Sequence, residues 1–86
     1  MEVKIITSKK GLKFLMQPYG DLVYIGLYHK ISWLCQLLVY DAVDQLGLEF
    51  AQKFGTISGV ASIVFYLGNH SLAEVEDALK NYSSAA

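Results

Sequence analysis

Two runs of β-branched and aromatic residues, Leu22–Tyr28 and Val60–Leu67, constrain this chain more than any other feature. Side chains of these types fit a pleated, half-buried surface, and each run has the length of a strand rather than of a core helix. A chain that contains both must build a sheet and must find something to cover it. Along the first run the two faces differ: Val23, Ile25 and Leu27 point one way, and Leu22, Tyr24, Gly26 and Tyr28 point the other. The second run is apolar almost throughout, as in a strand buried on both faces.

The remaining elements follow from local pattern. Val3, Ile5 and Thr7 alternate with Glu2, Lys4 and Ile6, which predicts a first strand. Residues 9–17 admit two readings. Leu12, Leu15 and Met16 have helical spacing, with Ser8 as a cap, whereas Leu12, Phe14 and Met16 alternate as in a strand. Pro18-Tyr19-Gly20-Asp21 is a turn signal between two apolar runs, and Gly11 is a poor helix former, so a hairpin from Leu12–Gln17 into Leu22–Tyr28 is favoured. Ser32 is placed to cap a helix that starts at Trp33 and continues at least to Leu46. Gly47 either ends it or sits inside one helix running to Phe54, with Gly55 just beyond its end. Ser71-Leu72-Ala73-Glu74 matches a capping box, and Leu72, Val75, Leu79 and Tyr82 form one apolar stripe on a final helix.

The expected fold class is α+β: one small domain over residues 1–82, with a mostly antiparallel sheet of about four strands. A long central helix and a C-terminal helix pack on it, and Ser83–Ala86 form a frayed tail. A helix over residues 9–17 would instead give a βαβαβα chain with a parallel sheet, where a ligand site at the strand ends is a common feature.

Composition removes several classes of function. With 53% hydrophobic and 17% charged residues the chain is too apolar to be disordered. Its net charge of −1 rests on seven lysines and no arginine, which argues against recognition of duplex nucleic acid. A single cysteine excludes an intrachain disulfide framework and a multi-cysteine zinc site. Phe54 to Ala73 lacks charged residues, but glycines, serines, Asn69 and His70 interrupt it and no basic cluster flanks it, so membrane insertion is not expected. Met1–Thr7 has no basic or apolar targeting pattern, and the lone thiol of Cys35 suits a reducing, cytoplasmic setting.

Helical periodicity over residues 33–54 leaves a surplus of apolar residues. Val39, Val43, Leu46, Phe50 and Phe54, flanked by Trp33, Tyr40 and Ala51, form the stripe expected to face the sheet. Asp41, Asp44, Gln45, Glu49 and Gln52 mark the opposite side, which Leu34, Leu37 and Leu38 share. Either the last helix or the Tyr19 loop covers these leucines, or a second protein does; the expectation is an intermolecular contact, most simply a twofold dimer. Tyr24 and Tyr28 flank Gly26 on one strand face, where an element packs closely or a ligand sits.

Few groups suit catalysis. His29 is the only imidazole close to Cys35 in sequence, but Trp33, Leu34, Leu37 and Leu38 make an apolar setting that raises a thiol's pKa. Asp41 and Asp44 share a helix face without a histidine at helical spacing, as solvated surface acids do. Gly55-Thr56-Ile57-Ser58-Gly59 resembles a phosphate loop in composition only and is expected to be a helix-to-strand connection. Residues 1–40 hold five lysines against Glu2 and Asp21, and residues 41–86 hold two against six acids, a polarity that can steer association. The expected function is therefore a non-catalytic, cytoplasmic protein-interaction module without metal or cofactor. It would bury Leu34, Leu37, Leu38, Tyr24 and Tyr28 against a protein partner, a second copy of itself in the simplest case. The alternative is a small-molecule-binding regulatory domain using Tyr24, Gly26 and Tyr28, with His70 available for an anion.

Overall fold

The computed structural model describes residues 2–28 and 32–83, with the backbone alone at 32, 33 and 52–54. The N-terminal alternation becomes β1 (Lys4–Thr7), and the ambiguous segment becomes β2 (Lys13–Tyr19), antiparallel to it. Ser8 closes this hairpin instead of capping a helix: its N–H donates to the Leu12 carbonyl at 2.8 Å, and its Oγ accepts the Leu12 N–H at 3.1 Å. β2 runs on through Pro18 and turns at Gly20 into β3 (Leu22–Leu27). The proline is tolerated because β1 reaches only as far as Met16, which leaves Gln17–Tyr19 on an open edge where a missing N–H costs no ladder bond.

Next come α1 (Ser32–Val43) and a single 3₁₀ turn over Asp44–Leu46. Gly47, at φ 63°, stops the helical segment in the left-handed conformation that glycine adopts without penalty. The single long helix to Phe54 is therefore not formed. Glu49–Ile57 is a strand, β4, paired with β5 (Val60–Tyr66). The glycine-rich stretch read as a helix-to-strand connection is the end of β4 and a two-residue turn. Ser58 (φ 49°) and Gly59 (φ 82°) both have the positive φ that a tight hairpin turn with right-handed twist requires. α2 (Leu72–Lys80) closes the chain as expected, with the complete capping box of Ser71 and Glu74.

All strand pairs are antiparallel, in the order β1-β2-β3-β5-β4. The α+β expectation holds, with five strands among the described residues instead of about four, and the parallel βαβαβα alternative does not. β3 and β4 do point the same way, because both oppose β5, but β5 lies between them.

The helices cover one side of this sheet. Three cross-strand rows, Ile6–Phe14–Leu27, Met16–Ile25–Ile63 and Val23–Phe65, meet Leu38, Val39, Ala42 and Val43 of α1, Val75 and Leu79 of α2, and Tyr82. Each buried large apolar side chain contributes roughly 1.5–3 kcal/mol. Two polar contacts tie the layers: Lys4 Nζ to Glu76 Oε1 at 2.8 Å, and the Tyr82 hydroxyl donating to Asp41 Oδ2 at 2.6 Å.

The far side has a smaller core of its own. Leu15, Ile57 and Val64 are almost fully buried there without a helix above them. β4 carries irregularities between Phe50 and Gln52 and between Gln52 and Gly55. It comes close to β3 and even to β2, neither of which is its hydrogen-bonded neighbour. Bulges bend the strand that carries them, and here they curl the C-terminal half of β4 over the sheet. Gly55 thus comes to lie against the ring of Tyr24.

Candidate functional site

The burial of α1 differs from the expected one by a rotation about its axis. Leu38, Val39, Ala42 and Val43 are buried, and Leu34 and Cys35 pack partly against the core. Phe50 and Phe54 had pulled the expected stripe towards Tyr40. Both belong to β4, and with them removed the centre of the stripe moves to Leu38 and Ala42. Leu38, expected at an interface, is therefore a core residue, 2% exposed. Leu37 is the one of the three leucines left in solvent, at 56% exposure.

Beside Leu37 stands an aromatic group that the sequence reading placed in the core. Tyr40 of α1 and Phe50 of β4 lie 5.8 Å apart, and both rest on the buried ring of Phe65, at 5.8 and 6.3 Å. The T-shaped contacts with Phe65, at 87° and 75°, are the edge-to-face geometry that aromatic quadrupoles favour. Tyr40 and Phe50 nevertheless remain 38% and 42% exposed. Gly47 was the signal that could have revealed them, since ending the helix there frees Phe50 from the helical stripe.

The tyrosines do not join this patch. Tyr24 is half-buried on the far side of the sheet against Gly55 and Val64. Tyr28 is exposed at the end of β3, where its N–H donates to the Lys13 carbonyl at 3.0 Å. Gly26 is buried opposite Ser62, so strand β5 makes the close approach that its missing side chain permits. His70 sits beyond Tyr66, which pairs with Leu22 at the opposite end of β3 from Tyr28, about 20 Å away at 3.3 Å per residue. A combined tyrosine–histidine ligand site is therefore not assembled. Tyr19 and Tyr66 form a further exposed pair flanking Leu22 on the far side.

The titratable candidates are already engaged. His70 Nδ1 lies 2.9 Å from Glu74 Oε2, and Glu74 Oε1 accepts the Ser71 N–H at 3.1 Å. The bond to His70 and the Ser71 N–H hold the Glu74 carboxyl below the usual carboxylate range. A carboxylate with a depressed folded-state pKa adds stability above its unfolded pKa of about 4.3, and that contribution is lost as pH falls through the folded value. The stability difference between the wild type and Glu74→Gln is accordingly expected to be present at pH 6 and to vanish in acid, followed by thermal unfolding across the range. Asp41 accepts from Tyr82, and among the described residues no three histidine, cysteine or acidic groups converge as a metal site would require. The Cys35 thiol donates to the Leu27 carbonyl at 3.5 Å, and burial pushes its pKa up. Its suggested partner His29, the side chains of Ser32, Trp33 and Phe54, and residues 84–86 of the tail lie outside the described residues.

At the end of the sheet beyond Gly26 and Ser62, a cavity of about 410 Å³ opens between β3, β5 and α1. These features define a small antiparallel α+β domain with an exposed apolar helix patch and a cavity at one end of its sheet. Comparison with protein-family models, with curated proteins and with solved structures gave no match. Among the described residues, no helix is long and apolar enough to cross a membrane.

Proposed function

We propose that this chain is a small non-catalytic interaction module that associates with a second copy of itself through Leu37, Tyr40 and Phe50. The observation that carries this reading is the exposure of Leu37 next to the Tyr40–Phe50 ring pair, since contiguous exposed apolar side chains tend to mark interaction sites. Aromatic residues are also enriched at interfaces.

A second copy suits the patch because of how α1 is charged. It has no acidic residue in its first turn and no basic one in its last, while Asp41 and Asp44 crowd its C-terminal end. That is the unfavourable side of the helix dipole for a carboxylate. Leu37 lies near the middle of Ser32–Val43, so a twofold axis through it pairs α1 antiparallel with its copy. Each acidic end then meets the electropositive start of the other helix. A twofold contact of this kind is self-complementary and closes at the dimer. The non-catalytic part of the reading rests on the structural use already made of Asp41, Glu74 and Cys35, and a cytoplasmic setting belongs to the same proposal.

Light scattering after size-exclusion chromatography tests it. The wild type is expected at about twice the 9.6 kDa protomer mass in both low and high salt. Leu37→Asp is expected to fall to the protomer mass with its circular dichroism unchanged, because the side chain is in solvent in the protomer. A monomeric wild type, or a Leu37→Asp variant that remains dimeric, overturns the reading.

A further inference from the structure

The two edges of the sheet differ. β4 carries two irregularities, which interrupt a regular row of backbone groups. β1 pairs with β2 without one, from Lys4–Met16 to Thr7–Lys13, and among the described residues no strand pairs with its other side. The direction of its free groups follows from the Ser8 N–H, which donates across the hairpin to the Leu12 carbonyl. In an antiparallel pair, residues that exchange hydrogen bonds alternate with residues that do not. Ile6 and Lys4 therefore bond to β2 as Ser8 does, and Ile5 and Thr7 turn their N–H and C=O groups outward. Such a row is a template for one more strand.

A cleft lies along this edge. It is lined by every residue of β1, by Glu76 and Lys80 of α2 and, among the described residues, by none of β2, so it opens outward between strand and helix. An added strand would turn alternate side chains into the cleft and to the far side of the sheet. On the far side it meets Ile5, which is 61% exposed and stands beside the buried Leu15. In the cleft, and at the turn just past Thr7, it meets lysine. Glu76 is taken by Lys4, while the exposed Lys80, Lys9 and Lys10 have no acidic partner among the described residues. A second copy would bring the same excess of positive charge to the contact, whereas an acidic strand brings the missing counter-charge.

We propose that the outer edge of β1 captures an acidic, extended segment of a partner protein as an additional strand, antiparallel to β1. Main-chain hydrogen bonds to Ile5 and Thr7 hold the segment. An apolar side chain covers Ile5, and acidic side chains enter the cleft towards Lys80 and the Lys9–Lys10 turn. This edge lies across the sheet from β4 and Phe50, so the proposal does not rest on self-association.

The probe is the end-blocked peptide Glu-Val-Glu-Val-Ser-Val, whose first two valines fall opposite Thr7 and Ile5. Titrated into the full chain, it is expected to give saturable amide shifts over residues 2–8 and 76–80. It is also expected to slow hydrogen exchange at the outward N–H groups of Ile5 and Thr7. N-methylation of those two valines removes the peptide donors that face β1 and is expected to weaken binding at least about tenfold, the effect of one or two lost hydrogen bonds. Lys80→Glu is expected to weaken binding by about tenfold, and the counterpart Lys-Val-Lys-Val-Ser-Val not to bind. Unchanged exchange at Ile5 and Thr7, equal affinity for the N-methylated peptide, or equal affinity for the lysine peptide would each overturn the proposal. So would Ile5 and Thr7 amides that are protected without peptide and become exposed on dilution, since a second copy would then be the occupant.

Discussion

Replacing Phe14 by alanine is expected to remove about 3–5 kcal/mol of stability, the usual range for a large aromatic side chain lost from a packed core. A chain of 86 residues has a total stability of only about 4–13 kcal/mol, at 0.05–0.15 kcal/mol per residue. The loss is therefore a large fraction of the whole, and it unfolds the variant outright if the total lies at the lower end of that range. Phe14 is fully buried in the middle of the row Ile6–Phe14–Leu27, and its ring meets Tyr82 at 6.0 Å and 74°. Tyr82 in turn holds Asp41, so the cavity left by Phe14 would open beneath the contact that ties the C-terminal segment to α1. Ile5→Ala is the matched control. Ile5 lies on the far face of β1 at 61% exposure, whereas its neighbour Ile6 is 6% exposed, and its truncation is expected to stay within about 0.5 kcal/mol of the wild type. Urea unfolding of both variants checks the pair. A loss below about 1 kcal/mol at Phe14 would mean that the helices close over the gap without it.

The contrast between Ile5 and Ile6 also shows where the sequence is legible. Strand alternation places a side chain on a face without any knowledge of the rest of the fold, and the assignment of Val23, Ile25 and Leu27 to one side of β3 is correct for that reason. The final helix is equally plain, because the capping box and the stripe of Val75, Leu79 and Tyr82 are both local. β4 is the element the sequence conceals. Leu46, Phe50 and Phe54 have helical spacing, and only Gly47 interrupts it. A single glycine costs a helix about 1 kcal/mol, which local pattern alone treats as tolerable. Pairing with β5 decides the matter, and that pairing is non-local.

The same error propagates to the site. Adding Phe50 and Phe54 to the helix rotated the expected stripe, which exposed Leu38 on paper and buried Tyr40. Leu37 survives the correction because it lies outside both versions of the stripe. The cavity was beyond reach of the sequence altogether, since it depends on where the β3–β5 ladder ends. Gly26 marks that place, and its reading as a position of close approach carries the right physics with strand β5 as the neighbour in place of a helix.

Gly26→Ala and Gly55→Ala are expected to behave differently although both glycines lie within or beside the same sheet row. Glycine in a strand ordinarily costs about 0.5–1 kcal/mol relative to alanine, so either change would stabilise the protein if the methyl group had room. At Gly26 it does not: the new Cβ would stand 2.9 Å from the Ala61 carbonyl oxygen. That oxygen is backbone of the adjacent strand, so relief requires β3 and β5 to separate where their ladder ends. Overpacking of this kind costs about 1–3 kcal/mol. At Gly55 the added Cβ would meet the Tyr24 ring at 2.8 Å and Val64 Cγ2 at 3.0 Å. Both obstacles are side chains, and the half-buried Tyr24 ring has solvent into which it can turn. Gly55→Ala is accordingly expected to cost less than Gly26→Ala, by at least about 1 kcal/mol in denaturant unfolding. Equal losses would mean that the curl of β4 over the far side is as rigid as the β3–β5 ladder itself. A neutral Gly26→Ala would mean that β3 and β5 can separate beside Ala61 at little cost.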